Sequence, residues 1–215
     1  MRIVIAGAHG QIGRRLVGLL SARGDDVIGL IRNPAHAQDI SAAGGTPVVC
    51  DLESASPPEV ALAIGPVEVA VFAAGAGPGS GAERKLTVDR DGAVKLLTAT
   101  ETAAARYLII SSVGAESPPS GDDVFEVYLR AKAEADAAVM ASARPWVVVR
   151  PGPLTDDPGT GRVRLETDPF RDAVTRDDVA AVLAALIADP SVDHEILYLA
   201  NGDITIDQAL AAVGA

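Results

Sequence analysis

The sequence has few residues of the kinds that build disulfides, metal sites and aromatic cores. Its 215 residues include one cysteine, Cys50, and three histidines, and aromatic residues make up 3%. A single cysteine excludes an internal disulfide framework and indicates a reducing compartment. The histidines, His9, His36 and His194, do not have the spacing of metal ligands, so no metal site is expected.

Long apolar runs and an excess of positive charge are also absent. No apolar stretch approaches the roughly 20 residues that cross a membrane, and the apolar residues 3–6 break at once into glycines, unlike a signal peptide. The formal net charge of −11 argues against binding to nucleic acid or to an anionic membrane. We therefore expect a cytoplasmic protein whose partner is a small molecule.

Short apolar runs alternate with helix-like patterns along the whole chain. Strands are predicted at Arg2–Ala6, Asp26–Ile31, Thr46–Cys50, Val67–Ala73, Tyr107–Ser111, Trp146–Arg150 and Glu195–Ala200. Helices are predicted at Gln11–Arg23, Ala35–Ala43, Pro58–Ile64, Ala82–Ala104, Val124–Ser142, Arg176–Ala188 and Ile206–Val213. Several strands are continuously apolar, as in a parallel sheet that is covered on both faces. The alternation predicts an α/β fold, a doubly wound parallel sheet in a three-layer α/β/α Rossmann arrangement, as one domain over residues 1–215 with a small C-terminal elaboration.

The first glycines lie between a buried strand and a helix. The run Gly7–Gly13 has the spacing G-x-x-G-x-x-G, and helical periodicity begins at Ile12. Glycines allow a tight turn and a close approach of backbone N–H groups to a phosphate, and a helix N-terminus carries partial positive charge. The run predicts a pyrophosphate-binding turn, with a plain strand–helix turn as the alternative. The residues assigned to the cofactor here are Gly7, His9, Gly10, Gln11 and Ile12.

The ends of the next strands are assigned to the adenosine half of the nucleotide. Arg32 follows the second strand, at a position where proteins that prefer NAD usually carry an acidic residue. An arginine there suits the 2′-phosphate of NADP, so NADP is the expected cofactor and NAD the alternative. A solvated arginine after a strand is the other interpretation. Asp51, followed by Leu52, comes directly after the third strand and is assigned near the adenine, with a cap of the following segment as the alternative. The small residues Ala73, Ala74 and Gly75 after the fourth strand are assigned to the cofactor where it crosses the sheet edge, with ordinary tight packing as the alternative.

A tyrosine and a lysine four residues apart follow the fifth strand. Tyr128 and Lys132 share one face of a predicted helix, and Ser111 and Ser112 end the strand before it. A lysine ammonium beside a phenol lowers a tyrosine pKa that is normally about 10, so the phenol can exchange a proton with a substrate oxygen. Ser112, Tyr128 and Lys132 are therefore the predicted catalytic residues, and a surface tyrosine with a solvated lysine is the alternative.

The sixth strand is predicted to end at the same edge of the sheet. Open α/β sheets bind ligands beyond the carboxyl ends of their strands. The cofactor contacts predicted at this edge are Ser111, Lys132, Pro151, Gly152 and Leu154. Pro151–Phe170 is rich in Pro, Gly, Asp and Arg, so an irregular segment is predicted there, and residues 151–175 are assigned as a loop over the substrate. Asp89, on an otherwise apolar helix face, is interpreted as a hydrogen-bond acceptor that fixes a neighbouring loop.

With these motifs the sequence resembles the short-chain dehydrogenase/reductase superfamily, in particular its atypical, compact NAD(P)H-binding group. That group includes NmrA-like, flavin-reductase-like and NAD-dependent epimerase/dehydratase-like proteins. The resemblance rests on Gly7–Gly13, Ile31–Asn33, Asp89–Gly92, Ile109–Ser112, Tyr128 with Lys132 and Glu134, Trp146–Leu154 and Thr175–Ala180. It implies that Gly7, Gly10 and Gly13 hold the pyrophosphate, that Arg32 selects NADP, and that Ser112 (or Ser111), Tyr128 and Lys132 are catalytic. It also implies that helices 82–104 and 124–142 either pair across a homodimer or pack on the sheet.

The expected function is that of an NADP(H)-dependent oxidoreductase that transfers hydride to or from a small carbonyl, quinone or flavin. A compact substrate region leaves a non-catalytic NADP(H)-sensing regulatory protein as one alternative. An epimerase or dehydratase, in which the cofactor is not consumed, is the other. The sugar-nucleotide epimerases of the superfamily have a larger C-terminal substrate domain than the short segment after Pro151 provides.

Overall fold

The computed structural model describes residues 1–103 and 105–214. The chain begins with the predicted unit of strand, helix and strand: β1 (Arg2–Ala6), α1 (Gln11–Ala22) and β2 (Asp26–Ile31). In β1, Ile3 and Ile5 belong to the core on the side of α1, whereas Val4 and Ala6 belong to the core on the opposite side. The strand is continuously apolar because both faces of the sheet are covered.

The remaining elements follow the same alternation. The helices are α2 (Ala37–Ala42), α3 (Pro57–Ile64), α4 (Ala82–Arg84), α5 (Ala93–Ala99), α6 (Val124–Met140), α7 (Arg176–Ala188) and α8 (Ile206–Val213), with a 3-10 turn at Pro34–His36 and a π-helix at Lys85–Gly92. The strands are β3 (Thr46–Val49), β4 (Val69–Phe72), β5 (Arg106–Ile110), β6 (Trp146–Pro151), β7 (Leu154–Thr155), β8 (Arg162–Glu166), β9 (Val174–Thr175), β10 (Glu195–Asn201) and β11 (Ile204–Thr205). Polar side chains cap the helices that flank the site. Asp123 accepts hydrogen bonds from the first turn of α6, and Thr175 accepts one from the first turn of α7.

Nine of the described strands form one sheet in the order β11-β8-β10-β6-β5-β4-β1-β2-β3. Neighbours from β3 to β10 are parallel, and β8 and β11 add an antiparallel edge. Strand order reverses between β1 and β4, which makes this point the topological switch at which such folds bind ligands. Apolar clusters cover both faces of the sheet. The prediction of a doubly wound, three-layer Rossmann fold is therefore confirmed.

The segment after β6 is more regular than its sequence indicates, so the prediction of an irregular Pro151–Phe170 is wrong in part. β8 pairs antiparallel with β10, with Val163 and Leu165 buried and their charged neighbours exposed. This alternation is the pattern of a half-buried edge strand. Gly152 packs against the backbone of Asp172, where a Cβ would overlap the carbonyl oxygen. The assigned substrate loop is therefore anchored at both ends.

The long helix predicted at Ala82–Ala104 is interrupted and shorter. Two α-helical stretches flank the π-helix, the helix ends at Ala99, and the last predicted residue lies outside the described residues. Just beyond this end, the Thr100 hydroxyl donates to the Leu96 carbonyl oxygen at 2.9 Å, and such local bonds compete with helix continuation. Because π-helical turns occur frequently at functional sites, the interruption directs attention to this part of the chain.

The other predicted elements have limits close to those observed. The helix predicted at Ala35–Ala43 begins instead as the 3-10 turn at Pro34, where the Asn33 side chain accepts a hydrogen bond from the backbone N–H of Ala35. Proline at the first position of such a turn suits its fixed φ. None of the described helices is both long and apolar enough to cross a membrane.

Candidate active site

The glycine turn closes tightly at the carboxyl end of β1. Gly7 has a φ of +80°, and a Cβ there would lie 2.6 Å from the backbone of Ala74. A Cβ on Gly13 would overlap the carbonyl oxygen of Gly7, and the backbone N–H of Gly10 donates to that same oxygen at 2.9 Å. Side chains are thus excluded where β1, β4 and α1 meet. The first turn of α1 presents its backbone N–H groups at this opening.

A first cleft of about 310 Å³ opens over this turn, beside the ends of β2, β3 and β4. Of the residues predicted to bind the cofactor, it is lined by Gly7, His9, Gly10, Arg32, Asp51, Leu52, Ala73, Ala74 and Gly75. Leu30, Ile31 and Val88 add apolar walls. Apolar walls with a few polar groups are typical of a site for a small molecule, and the size of the cleft suits part of a nucleotide.

Glu53 joins the two arginines of the first cleft. It accepts hydrogen bonds from Arg84 at 2.5 and 3.3 Å, from Thr87 at 2.8 Å, and from Arg32 at 3.4 Å. The hydrogen bond from Arg84 is the largest influence on Glu53 and lowers the pKa of its carboxyl group, while partial burial opposes the shift. Sequence reasoning missed Glu53 and Arg84 because they lie in separate segments that only the fold brings together.

Two histidines lie against each other in the wall of the first cleft. The rings of His9 and His36 stack with centroids 3.5 Å apart, and His9 Nε2 lies 2.8 Å from a carboxylate oxygen of Asp39. Gln11, which was also assigned to the cofactor, lines neither this cleft nor the next. Its side chain is exposed, and its backbone carbonyl accepts a hydrogen bond from Arg15.

A second cleft of about 690 Å³ adjoins the first, and Ala73, Ala74 and Gly75 line both. The structure brings together in it the remaining predicted residues: Ile12, Ser111, Ser112, Tyr128, Lys132, Pro151, Gly152 and Leu154. They come from α1, from the ends of β5 and β6, from β7 and from α6. The predicted catalytic residues therefore share one cleft, and that cleft is next to the one that suits a nucleotide.

Lys132 is held as a buried cation beside Tyr128. Its Nζ lies 5.8 Å from the centre of the Tyr128 ring, donates to the Ile110 carbonyl oxygen at 3.0 Å, and lies 3.4 Å from a carboxylate oxygen of Asp89. Burial acts to lower the pKa of Lys132, but the nearby Tyr128, Asp89 and Asp136 outweigh it and raise that pKa. The ammonium therefore keeps its charge next to the phenol.

Asp89 links the loop after β4 to the same lysine. Its second carboxylate oxygen accepts a hydrogen bond from the backbone N–H of Ala76 at 3.1 Å, and the residue is only 1% exposed. The interpretation of Asp89 as the residue that fixes a neighbouring loop is confirmed. Its ion pair with Lys132 was not foreseen, because it depends on how α6 packs beside the π-helix.

The two serines at the end of β5 differ in their surroundings. The buried Ser111 hydroxyl donates to Asp136 at 2.7 Å, and Asp136 also accepts hydrogen bonds from Arg150 at 3.0 and 3.1 Å. Burial raises the pKa of Asp136 more than the hydrogen bonds from Ser111 and Arg150 lower it. Ser112 is only half-buried, lines the second cleft, and donates to the Val113 carbonyl oxygen. Ser111 thus belongs to a buried network that fixes α6, and Ser112 is the serine hydroxyl better placed to meet a substrate.

Several residues of the second cleft were not named as site residues in the sequence-based prediction, although Arg171 lies in the assigned substrate loop and Arg176 in the motif Thr175–Ala180. These are Lys85, Phe125, Arg171 and Arg176. Lys85 lies 5.4 Å from the centre of the Tyr128 ring, on the side of the π-helix, and the Phe125 ring lies 5.9 Å from that of Tyr128. The spacing of three residues between Phe125 and Tyr128 on one helix was an available signal. No local pattern distinguishes Lys85 from an ordinary surface residue.

A Rossmann sheet with a glycine turn and two joined clefts at its switch point defines a dinucleotide-binding protein. The chain belongs to the NAD(P)H-binding family, whose sequence model matches residues 7–190. It is 34% identical, over 98% of its length and 99% of the relative's, to the protein of Bacillus subtilis named "Uncharacterized sugar epimerase YhfK". The resemblance to the atypical short-chain dehydrogenase/reductases is confirmed.

Solved structures agree with this assignment. A Bacillus halodurans protein with the provisional name NAD-dependent epimerase/dehydratase is 30% identical and superimposes with a TM-score of 0.91, over 99% of both chains. The oxidoreductase ylbE from Lactococcus lactis is 25% identical, with a TM-score of 0.87 over 99% of this chain and 96% of that one. The relatives thus carry the names of epimerases and of oxidoreductases.

Proposed function

We propose that this protein is an NADP(H)-dependent oxidoreductase that transfers hydride to or from a small carbonyl, quinone or flavin substrate. The observation that carries the proposal is the position of Ser112, Tyr128 and Lys132 in a cleft that shares a wall with the first cleft. Membership of the NAD(P)H-binding family and likeness to an oxidoreductase support the same class of chemistry.

The residues of the first cleft fit a dinucleotide. Gly7 and Gly13 leave no room for side chains at the turn, so the backbone itself forms the surface there. Gly7, Gly10 and the first turn of α1 would hold the pyrophosphate, and the apolar wall that includes Leu30 and Ile31 would contact the adenosine. When bound, the nicotinamide supplies or accepts the hydride, and the protein supplies binding, orientation and proton transfer.

Proton transfer is assigned to Tyr128. Its phenol would donate a proton to the substrate oxygen that gains charge during reduction, and would take the proton back in the reverse direction. The charged Lys132, held by Ile110 and Asp89, stabilises the phenolate that this leaves. The Ser112 hydroxyl would donate a hydrogen bond that orients the same oxygen.

The preference for NADP over NAD rests on two arginines. Arg32 and Arg84 both line the first cleft and share Glu53 as a partner. A 2′-phosphate could take the place of Glu53 as the partner of Arg32, whose side chain is 58% exposed, because arginine forms strong charge-assisted bonds with phosphate. The proposal therefore assigns the 2′-phosphate to Arg32, with Arg84 in support.

The experiment is to follow NADPH consumption by absorbance against a panel of quinones, flavins and small carbonyls. Tyr128→Phe is expected to slow the reaction by about 10²- to 10⁴-fold, the usual contribution of a general acid. Tyr107→Phe is the matched control, because its phenol lies outside both clefts and donates to the Ala93 carbonyl oxygen. An unchanged rate in Tyr128→Phe would move proton delivery to another group.

An epimerase or dehydratase is the second candidate, favoured by the names of the relatives from Bacillus subtilis and Bacillus halodurans. In such a reaction hydride leaves and returns, so the cofactor stays bound and is not consumed. The same panel, extended by sugar nucleotides, separates the candidates. Conversion of a sugar nucleotide without loss of NADPH supports the epimerase, whereas tight NADPH binding without any turnover supports a regulatory protein.

A further inference from the structure

The charge of the second cleft is opposite to that of the protein. Four cationic side chains line it, Lys85, Lys132, Arg171 and Arg176, against one carboxylate, that of Asp89. The chain as a whole has a formal charge of −11. Local charge of one sign in a cleft raises the local concentration of ligands of the opposite sign. The cleft is thus suited to an anion.

Two of these cations have carboxylate partners and two do not. Lys132 pairs with Asp89, and Arg176 pairs with Asp156 at 3.0 Å. Within the described residues, no carboxylate pairs with Lys85 or with Arg171. Lys85 is the more informative of the two, because only 8% of it is exposed and, among the described residues, its Nζ donates one hydrogen bond, to the Gly77 carbonyl oxygen. The same Nζ lies 5.4 Å from the centre of the Tyr128 ring.

A buried ammonium whose partners are a carbonyl oxygen and an aromatic ring face, with no carboxylate, is an unusual arrangement. Lysine is almost never buried without a counter-charge, because the loss of hydration is costly. The Lys85 Nζ still has donor capacity beyond its bond to Gly77, since an ammonium carries three N–H groups. A ligand anion in the cleft would supply both the missing charge and the missing acceptors.

The apolar wall of the same cleft indicates that the rest of the ligand is apolar. Phe125 is 55% exposed and lies next to the Tyr128 ring, and the rim residues Val124 and Leu154 are 45% and 36% exposed. Large side chains exposed together around a cleft mark a binding surface for an apolar group. Aromatic rings favour offset stacking with another planar ring.

We propose that the second cleft binds a substrate that has a planar apolar body and carries a carboxylate or phosphate, with Lys85 and Arg171 binding the anion. This inference rests on the proposed function, because it names the substrate class of the same site. Binding of such an anion can be measured whether or not the protein turns the ligand over.

A pair of dyes that differ only in the anion tests the inference. 8-Anilinonaphthalene-1-sulfonate and N-phenyl-1-naphthylamine share their rings, and only the first has a sulfonate. Both are titrated by fluorescence into the protein saturated with NADP⁺, so that the first cleft is filled. The anionic dye is expected to bind about tenfold more tightly or better, since bonds to charged groups contribute about that much.

Three variants and one control show where the anionic dye binds. Lys85→Met and Arg171→Gln are each expected to weaken the anionic dye about 5- to 30-fold and to change the neutral dye less than about twofold. Lys85→Arg, which keeps the charge, is expected to recover most of the loss. Arg162→Gln is the matched control, because it removes the same charge from the same segment outside the cleft and is expected to affect neither dye. Since Arg171 is exposed, its variant tests the idea even where Lys85→Met unfolds the protein.

Several outcomes overturn the inference. Equal affinity for the two dyes, binding of neither, or no response to Arg171→Gln removes the anion site. Binding of the anionic dye to the protein without NADP⁺ but not to the saturated protein assigns the cations to the cofactor. Flavin mononucleotide and riboflavin, which differ by one phosphate, then separate this inference from the proposed function. Dye binding as expected, with no NADPH consumed by either flavin or by the quinones and carbonyls of the panel, leaves the anion site standing and refutes the oxidoreductase.

Discussion

Replacing Asp136 with alanine tests how far the active site depends on a buried ion pair. Asp136 is fully buried and accepts three hydrogen bonds, from Ser111 and twice from Arg150, which is itself 5% exposed. Removing one partner of a buried pair leaves the other charge uncompensated, which costs about 3–5 kcal/mol. Arg150 keeps a hydrogen bond to the Tyr198 hydroxyl at 2.7 Å and has Glu116 at 3.7 Å. We therefore expect the loss in the free energy of unfolding to lie near the lower end of this range.

Thermal unfolding measures the loss. In a protein of this size about 1 kcal/mol corresponds to about 2–4 °C in Tm, so a loss of about 3 kcal/mol in Asp136→Ala should lower Tm by roughly 6–12 °C. Asp91→Ala is the control, because Asp91 is half-exposed and paired with Arg90 at the surface, where a pair contributes less than about 1 kcal/mol.

A double variant separates loss of charge from loss of packing. Replacing both partners with apolar residues, as in Asp136→Leu with Arg150→Met, should recover most of the stability, because no buried charge is left unpaired. A loss in Asp136→Ala no larger than that in Asp91→Ala would refute the reasoning. So would a double variant less stable than both single variants, since the pair would then be required for packing rather than for charge.

Three further predictions concern the first cleft and the helix that begins beside it. Arg32→Gln should weaken NADP⁺ binding about tenfold or more and leave NAD⁺ within about twofold, as measured by calorimetric titration; tighter binding of NAD⁺ by the natural protein would contradict the assignment. Gly13→Ala should lower Tm, at a cost of about 1–3 kcal/mol for overpacking against Gly7, whereas Gly18→Ala in the same helix meets no atom within 4 Å and should gain about 0.5–1 kcal/mol. Because the folded pKa of Glu53 is lowered, its contribution is present above the unfolded pKa of about 4.3 and is lost as the pH falls through the folded value. Urea unfolding from pH 6 to 3 should therefore show a smaller acid loss in Glu53→Gln, and parallel curves would exclude this contribution.

Much of the fold could be predicted because its signals are local. The continuously apolar β1, the glycine turn and the helix caps at Asp123 and Thr175 each act over a few neighbouring residues. The spacing of Tyr128 and Lys132 likewise puts both side chains on one face of α6 whatever surrounds it. These features do not depend on how the elements pack against one another, so the sequence alone indicates them.

Edge strand β8 and the π-helix could not be predicted in the same way. The alternation at Val163 and Leu165 is the pattern of a half-buried strand, but it covers only five residues, and the strand is stabilised by β10, which lies far along the chain. The wide turns at Lys85–Gly92 depend on contacts that those residues make with the loop after β4 and with α6. Both features result from tertiary packing, which overrides local preference.

By itself, the sequence determined the alternation of strands and helices, the glycine turn that suits a phosphate, and the placement of Tyr128 and Lys132 on one helix face. Only the tertiary structure decided which charged groups meet, because ion pairs such as Glu53 with Arg84, or Lys132 with Asp89, join segments that are far apart in the chain. It also decided that Ser111 is bound to Asp136 and that Lys85 lies buried beside Tyr128. Strand order and helix packing set these distances, and short-range patterns carry no information about them.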